Sequence, residues 1–175
     1  AMPDLTVLQP KDGAEFNKMI DFSLDFDAPL AIRYPKNYFT DYPKTDFSLR
    51  WEYLKRSDNG VYVIAAGNRA IDAAMSVGEA NVISARVIQP IDITTLDGLC
   101  GAKLIITVED GVKTGGFGER VLTYLTEAGS KVKIVRLGYD FDRAKTLDGT
   151  VAAENNGLTA KNIADIIEKT LKTVV

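Results

Sequence analysis

Apolar positions along the chain follow two periods, and their order sets the expected elements. The run Leu5-Thr6-Val7-Leu8 predicts a short strand, and Asp12 followed three residues later by Glu15 supplies a capping box for a helix. Phe16, Met19, Ile20 and Leu24 then recur at helical spacing, and Leu30-Ala31-Ile32-Arg33-Tyr34 predicts a second strand. Strand, helix and strand in this order make a parallel crossover, which is normally covered on both faces and continued by further strands. No strand pattern follows directly, so residues 1–36 read as a partial βαβ unit. Residues 37–58 carry Lys, Asp, Pro and aromatics without a clean period and read as a connector. Tyr38, Phe39, Tyr42, Phe47 and Trp51 give it more aromatic surface than a solvated linker carries, so it is expected to pack.

Residues 59–175 alternate regularly. Strands are predicted at 61–66, 82–85, 104–108 and 132–137. Helices are predicted at 70–77, 93–99 and 117–126, and a terminal helix carries Ile163, Ile166, Ile167, Leu171 and Val174 on one face. Continuous apolar strands alternating with helices predict an α/β three-layer sandwich around a mainly parallel sheet.

Composition narrows the function classes. The 175 residues include 21 Lys+Arg against 24 Asp+Glu, a formal charge of −3, and no Lys/Arg cluster beyond short pairs, so nucleic acid is not an expected partner. No apolar run approaches the ~20 residues that span a bilayer, which predicts a soluble, cytoplasmic protein with no membrane partner. The single Cys100, in the context Leu99-Cys100-Gly101-Ala102, is expected to be a buried structural thiol. Histidine is absent, which removes imidazole metal sites, Ser-His-Asp hydrolysis and the commonest general base.

Three local features invite chemistry. Thr107 to Gly118 reads as a strand end, a glycine-rich loop and a helix start. Its amides either cradle a phosphate or form a tight turn whose glycines permit close packing, and the second reading is favoured because Glu109 and Asp110 place negative charge beside the loop. Those two acids also suggest an acid/base pair, but neighbours on a strand point to opposite sides. Arg33 and Lys36 end a predicted parallel strand, where a substrate phosphate is read, the alternative being solvated cations before a linker. The sequence offers no catalytic residue and no metal-ligand set of its own.

The stretches from Leu5 to Phe16, Ala31 to Lys36, Ala85 to Asp92 and Thr107 to Asp110, with Gly115-Gly116-Phe117-Gly118, resemble in order the C-terminal part of 1-deoxy-D-xylulose-5-phosphate synthases. The Gly-Gly-Phe-Gly stretch is shared with transketolases and 2-oxoacid dehydrogenase beta subunits. The Ile-Arg-Tyr-Pro stretch favours the synthases. The resemblance implies a homodimeric transferase that uses thiamine diphosphate and Mg2+ to condense pyruvate with glyceraldehyde 3-phosphate, losing CO2, and so supplies isoprenoid, thiamine and pyridoxal synthesis. It implies that residues 1–36 are the end of a pyrimidine-binding domain and residues 59–175 a transketolase C-terminal domain. The family's basic phosphate ligand after Tyr-Pro, usually arginine, falls on Lys36, where lysine keeps the charge but not the two-pronged fork. Its diphosphate signature, Gly-Asp-Gly, does not occur here, so the chain alone is expected to bind no cofactor and to be inactive, completed by upstream domains. The alternatives are a non-catalytic assembly module, the C-terminal part of another transketolase-superfamily enzyme, and a regulatory domain that binds an anion at Gly115–Gly118.

Overall fold

The computed structural model describes residues 2, 4–35, 40–43, 46–140 and 149–174, without the side chains of 149, 150, 171 and 174. Among them the elements run β1 (Thr6–Leu8), α1 (Gly13–Leu24), β2 (Leu30–Ile32), β3 (Glu52–Lys55), β4 (Val61–Ala66), α2 (Asn68–Met75), β5 (Asn81–Ser84) and β6 (Val87–Gln89). They continue as α3 (Ile93–Asp97), β7 (Leu104–Val112), α4 (Phe117–Glu127), β8 (Lys133–Tyr139), α5 (Gly149–Asn155) and α6 (Ala160–Val174).

A five-stranded sheet in the order β3-β5-β4-β7-β8 forms the middle layer. β5, β4, β7 and β8 are parallel neighbours, and β3 pairs antiparallel at one edge. Alternate residues of β4 enter two different cores. Val61, Val63 and Ala65 pack with Ile71 of α2, Ala153 of α5 and Ile163 and Ile167 of α6. Ile64 and Ala66 pack with Leu96 of α3 and Phe117, Val121 and Leu125 of α4. A strand covered on both faces has apolar residues at every position, which is why these strands were legible as continuous runs. The α/β three-layer architecture with a mainly parallel sheet is therefore as expected.

The opening βαβ unit is continued, contrary to expectation. β1 pairs parallel with β2 on one side and antiparallel with β6 on the other, Val7 opposite Gln89 and Leu8 opposite Val87, giving a second sheet β2-β1-β6. β6 is three residues long, too short for a periodic signal. Leu8 and Met19 enter the same core as α3 and α4. Val7 of β1 and Ile32 of β2 are half-buried against that core, whereas Tyr34 stays 64% exposed with its ring 5.1 Å from that of Phe16.

β3 lies within the span read as a connector. As an edge strand with half-buried Glu52 and Lys55 it lacks the apolar run that marks interior strands. The expected aromatic packing holds for Trp51, buried with its indole N–H donating to the Val87 carbonyl at 2.8 Å, and for Phe47 and Tyr42, which lie against the cores. Tyr38 and Phe39 are outside the described residues. α5 was not predicted. Cys100 is exposed rather than buried: it follows the buried Leu99 beyond α3 and faces outward, its thiol 3.8 Å from the Leu96 carbonyl.

Candidate functional site

The carboxyl ends of β1, β2, β4 and β7 converge, and open α/β sheets place ligands at such ends. Here the chain itself fills the crevice. Gly67, between β4 and α2, has φ +94°, and a Cβ on it would overlap the side-chain amide of the buried Gln9 that follows β1. Asn68 donates to the Lys11 carbonyl at 3.0 Å from the same place.

The start of α4 is filled in the same way. Glu109, 4% exposed, turns back from β7 and accepts from the Phe117 amide at 2.8 Å and the Gly118 amide at 3.0 Å. A carboxylate is the kind of group that helix-terminal amides stabilise. The glycines serve this contact: a Cβ on Gly116 would overlap the Val112 carbonyl and the Glu109 carboxylate, and one on Gly118 would overlap the Thr107 hydroxyl. The close-packed turn is thus the arrangement found, and the anion at this helix is internal. Burial pushes the Glu109 carboxyl above its ordinary range, opposed by the two amides and by the charges of Arg33 and Arg120.

Asp110 points the other way and accepts from the Tyr139 hydroxyl at 2.8 Å. Burial, and then this hydrogen bond, hold the Tyr139 hydroxyl above its usual range. The two neighbouring acids share no proton, as their alternation along a strand predicts.

Of the two candidate substrate ligands, Arg33 is described. It is exposed just beyond β2, and one guanidinium nitrogen donates to the Asp110 carbonyl at 3.2 Å, tying the end of β2 to β7. Lys36 lies outside the described residues.

A buried charge lattice beside this region escaped the sequence reading. Arg86 and Lys11, each 2% exposed, bind the acids of two other segments. Arg86 Nε lies 3.0 Å from Glu15, its Nη2 pairs with Glu52, and its Nη1 donates to the Asp46 carbonyl at 3.1 Å. Lys11 Nζ lies 3.1 Å from Glu52 and 3.4 Å from Glu15. Glu15 also accepts from the Lys11 amide at 2.7 Å, while the N-cap Asp12 accepts from the Glu15 amide at 2.7 Å. The only trace in sequence was an arginine set between Ala85 and Val87, whose partners lie 34 and 71 positions away.

Among the described residues no three Asp, Glu or Cys groups converge to hold a metal ion, and the glycine-rich helix start, the natural place for a diphosphate, is occupied by Glu109. The residues present do not fit thiamine diphosphate with Mg2+. No helix among the described residues is long and apolar enough to cross a membrane.

Fold and site together define an α/β domain of transketolase type. The sequence profile described as "Transketolase, C-terminal domain" matches residues 51–163, and the chain belongs to that family. It is 34% identical to a 1-deoxy-D-xylulose-5-phosphate synthase of Clostridium perfringens over 95% of this chain and 29% of that protein. The synthase of Thermus thermophilus is 35% identical over 78% of this chain and 23% of its own length. The chain thus spans less than a third of the length of these relatives. Among solved structures, a split-gene transketolase in an inactive beta4 tetramer superposes with TM-score 0.80 at 23% identity, covering 98% of this chain and 59% of that one. Transketolase from Campylobacter jejuni superposes with TM-score 0.61 at 17% identity, over 96% and 26%. These two likenesses concern the fold.

Proposed function

We propose that the chain is the C-terminal part of a thiamine-diphosphate-dependent 1-deoxy-D-xylulose-5-phosphate synthase, which joins pyruvate to glyceraldehyde 3-phosphate with loss of CO2. The observation that carries this reading is the reach of the likeness. The family profile starts at residue 51, whereas the identity to the synthases runs over 95% of the chain and so takes in the β1–α1–β2 unit. In this reading residues 1–36 close a pyrimidine-binding domain, residues 37–58 connect, and residues 59–175 form the transketolase C-terminal domain of a dimeric, cytoplasmic enzyme. Lys36 and Arg33 are the ligands of the substrate phosphate in this reading. The Arg33 contact to Asp110 holds the end of β2 against the C-terminal sheet, and the lattice around Arg86 ties the start of α1 to β3. Cofactor and metal are held by polypeptide outside these 175 residues, so the chain alone turns nothing over.

The test is reconstitution. The chain is mixed with, or fused behind, the preceding domains of the Clostridium perfringens synthase, and product is measured from pyruvate and glyceraldehyde 3-phosphate with cofactor and Mg2+. Product should form only in the combined sample. Lys36→Ala should raise KM for glyceraldehyde 3-phosphate about tenfold, the loss of one charge-assisted contact of ~1.5 kcal/mol. A combined sample that assembles but makes no product refutes the reading, as does saturable cofactor binding by the chain alone in calorimetry.

A further inference from the structure

At the outer edge of the five-stranded sheet, separated from β7 by β5 and β4, the segment entering β3 walls a polar cleft of about 350 Å3. Three arginines line it, each placed by contacts of its own. Arg86 is held by Glu15, Glu52 and the Asp46 carbonyl. Arg50 is held by Asp92 at 3.2 Å and donates to the Thr94 hydroxyl at 2.8 Å. Arg56 places its guanidinium carbon over the Tyr53 ring, 3.9 Å from the centroid.

The two acids of the lining do not cancel these charges at the mouth. Glu52 is taken up by Arg86 and Lys11, and the Asp46 carboxylate is fully exposed and turned to Lys18 at 3.5 Å. Among the described residues, the exposed Arg56 guanidinium has a ring contact and no hydrogen-bond partner. Ser48 adds a hydroxyl to the same lining.

We infer that this cleft binds the phosphoryl group of a small phosphorylated molecule, with Arg56 as its principal ligand and Arg50 and Ser48 beside it. Planar guanidinium groups match phosphate oxygens in pairs. A guanidinium already ordered on an aromatic face loses less freedom on binding than a free one. The cleft volume suits a small metabolite. The inference is independent of the proposed synthase activity and concerns a different edge of the molecule.

Trp51, the single tryptophan of the chain, lines the cleft and reports on it. The intact 175-residue chain is titrated with inorganic phosphate at ionic strength held constant with potassium chloride, and followed by tryptophan fluorescence and by calorimetry. A saturable response to phosphate that chloride does not reproduce is expected. Arg56→Gln should weaken it at least tenfold with an unchanged unfolding midpoint, because Arg56 is exposed, and Arg50→Gln should weaken it less. Absence of a saturable response in both measurements overturns the proposal. So does an affinity that Arg56→Gln leaves unchanged.

Discussion

The carboxylate of Glu109 sits 2.8 Å from the amide of Phe117, so the end of one central strand closes the start of the helix that follows it. Glu109→Ala strips two buried amides of their acceptor. The loss should be about 2–3 kcal/mol in urea unfolding. If the site is an internally filled anion site, added formate should restore part of that loss in the variant and leave the parent chain unchanged. Equal responses of the two proteins to formate would refute that description.

The Glu109 carboxyl titrates above its ordinary value near 4.5 because burial outweighs its amide partners. With the folded pKa above the unfolded one, the unfolded chain loses this proton first as pH rises. The contribution of Glu109 to stability is therefore fully present below about pH 4.5, falls as pH rises through the folded pKa, and is constant above it. Unfolding free energies of the parent and Glu109→Gln, measured across that range, should show the parent losing stability relative to the variant with rising pH. A difference that grows the other way would contradict the assignment.

Arg86→Met removes the cation shared by Glu15 and Glu52 and leaves buried acids with Lys11 alone. Breaking a buried pair from one side costs about 3–5 kcal/mol, and chemical denaturation should record a loss of that order. Lys18→Ala, which removes the partner of the fully exposed Asp46, should leave the midpoint where it was.

Glycine substitutions separate packing from conformation. Gly118→Ala should destabilise by about 1–3 kcal/mol, since its Cβ overlaps the buried Thr107 hydroxyl. Gly78→Ala, whose Cβ meets nothing within 4 Å and whose φ is ordinary, should be neutral or slightly stabilising. Comparable thermal shifts for the two would show that the glycine-rich turn is not sterically determined.

What the sequence disclosed follows from how local each signal is. The interior strands β4 and β7 and the Asp12 cap of α1 are written in neighbouring residues, and all three are where the pattern puts them. Glu109 is plain in the sequence, but there it reads as a charge that repels an anion, whereas in the fold it is the anion. β6 and β3 were missed because a three-residue strand and a half-polar edge strand carry almost no periodic signal. The lattice was missed because Lys11, Glu15, Glu52 and Arg86 meet only after the chain has folded back twice. Arg33 reaches Asp110 across 77 positions for the same reason.

The antiparallel pairing of Val7 with Gln89 joins the opening unit to a strand 82 positions further on, so the polypeptide between them forms a closed loop. A backbone cut anywhere between Ile32 and Trp51 would leave the two products held by a shared sheet, a shared core and the Arg86 ion pairs. The nicked protein should migrate as one particle under native conditions and as two in denaturant. Formation of that loop also requires contacts of high sequence separation before the small sheet exists, which makes its closure a slow step in folding rather than an early one.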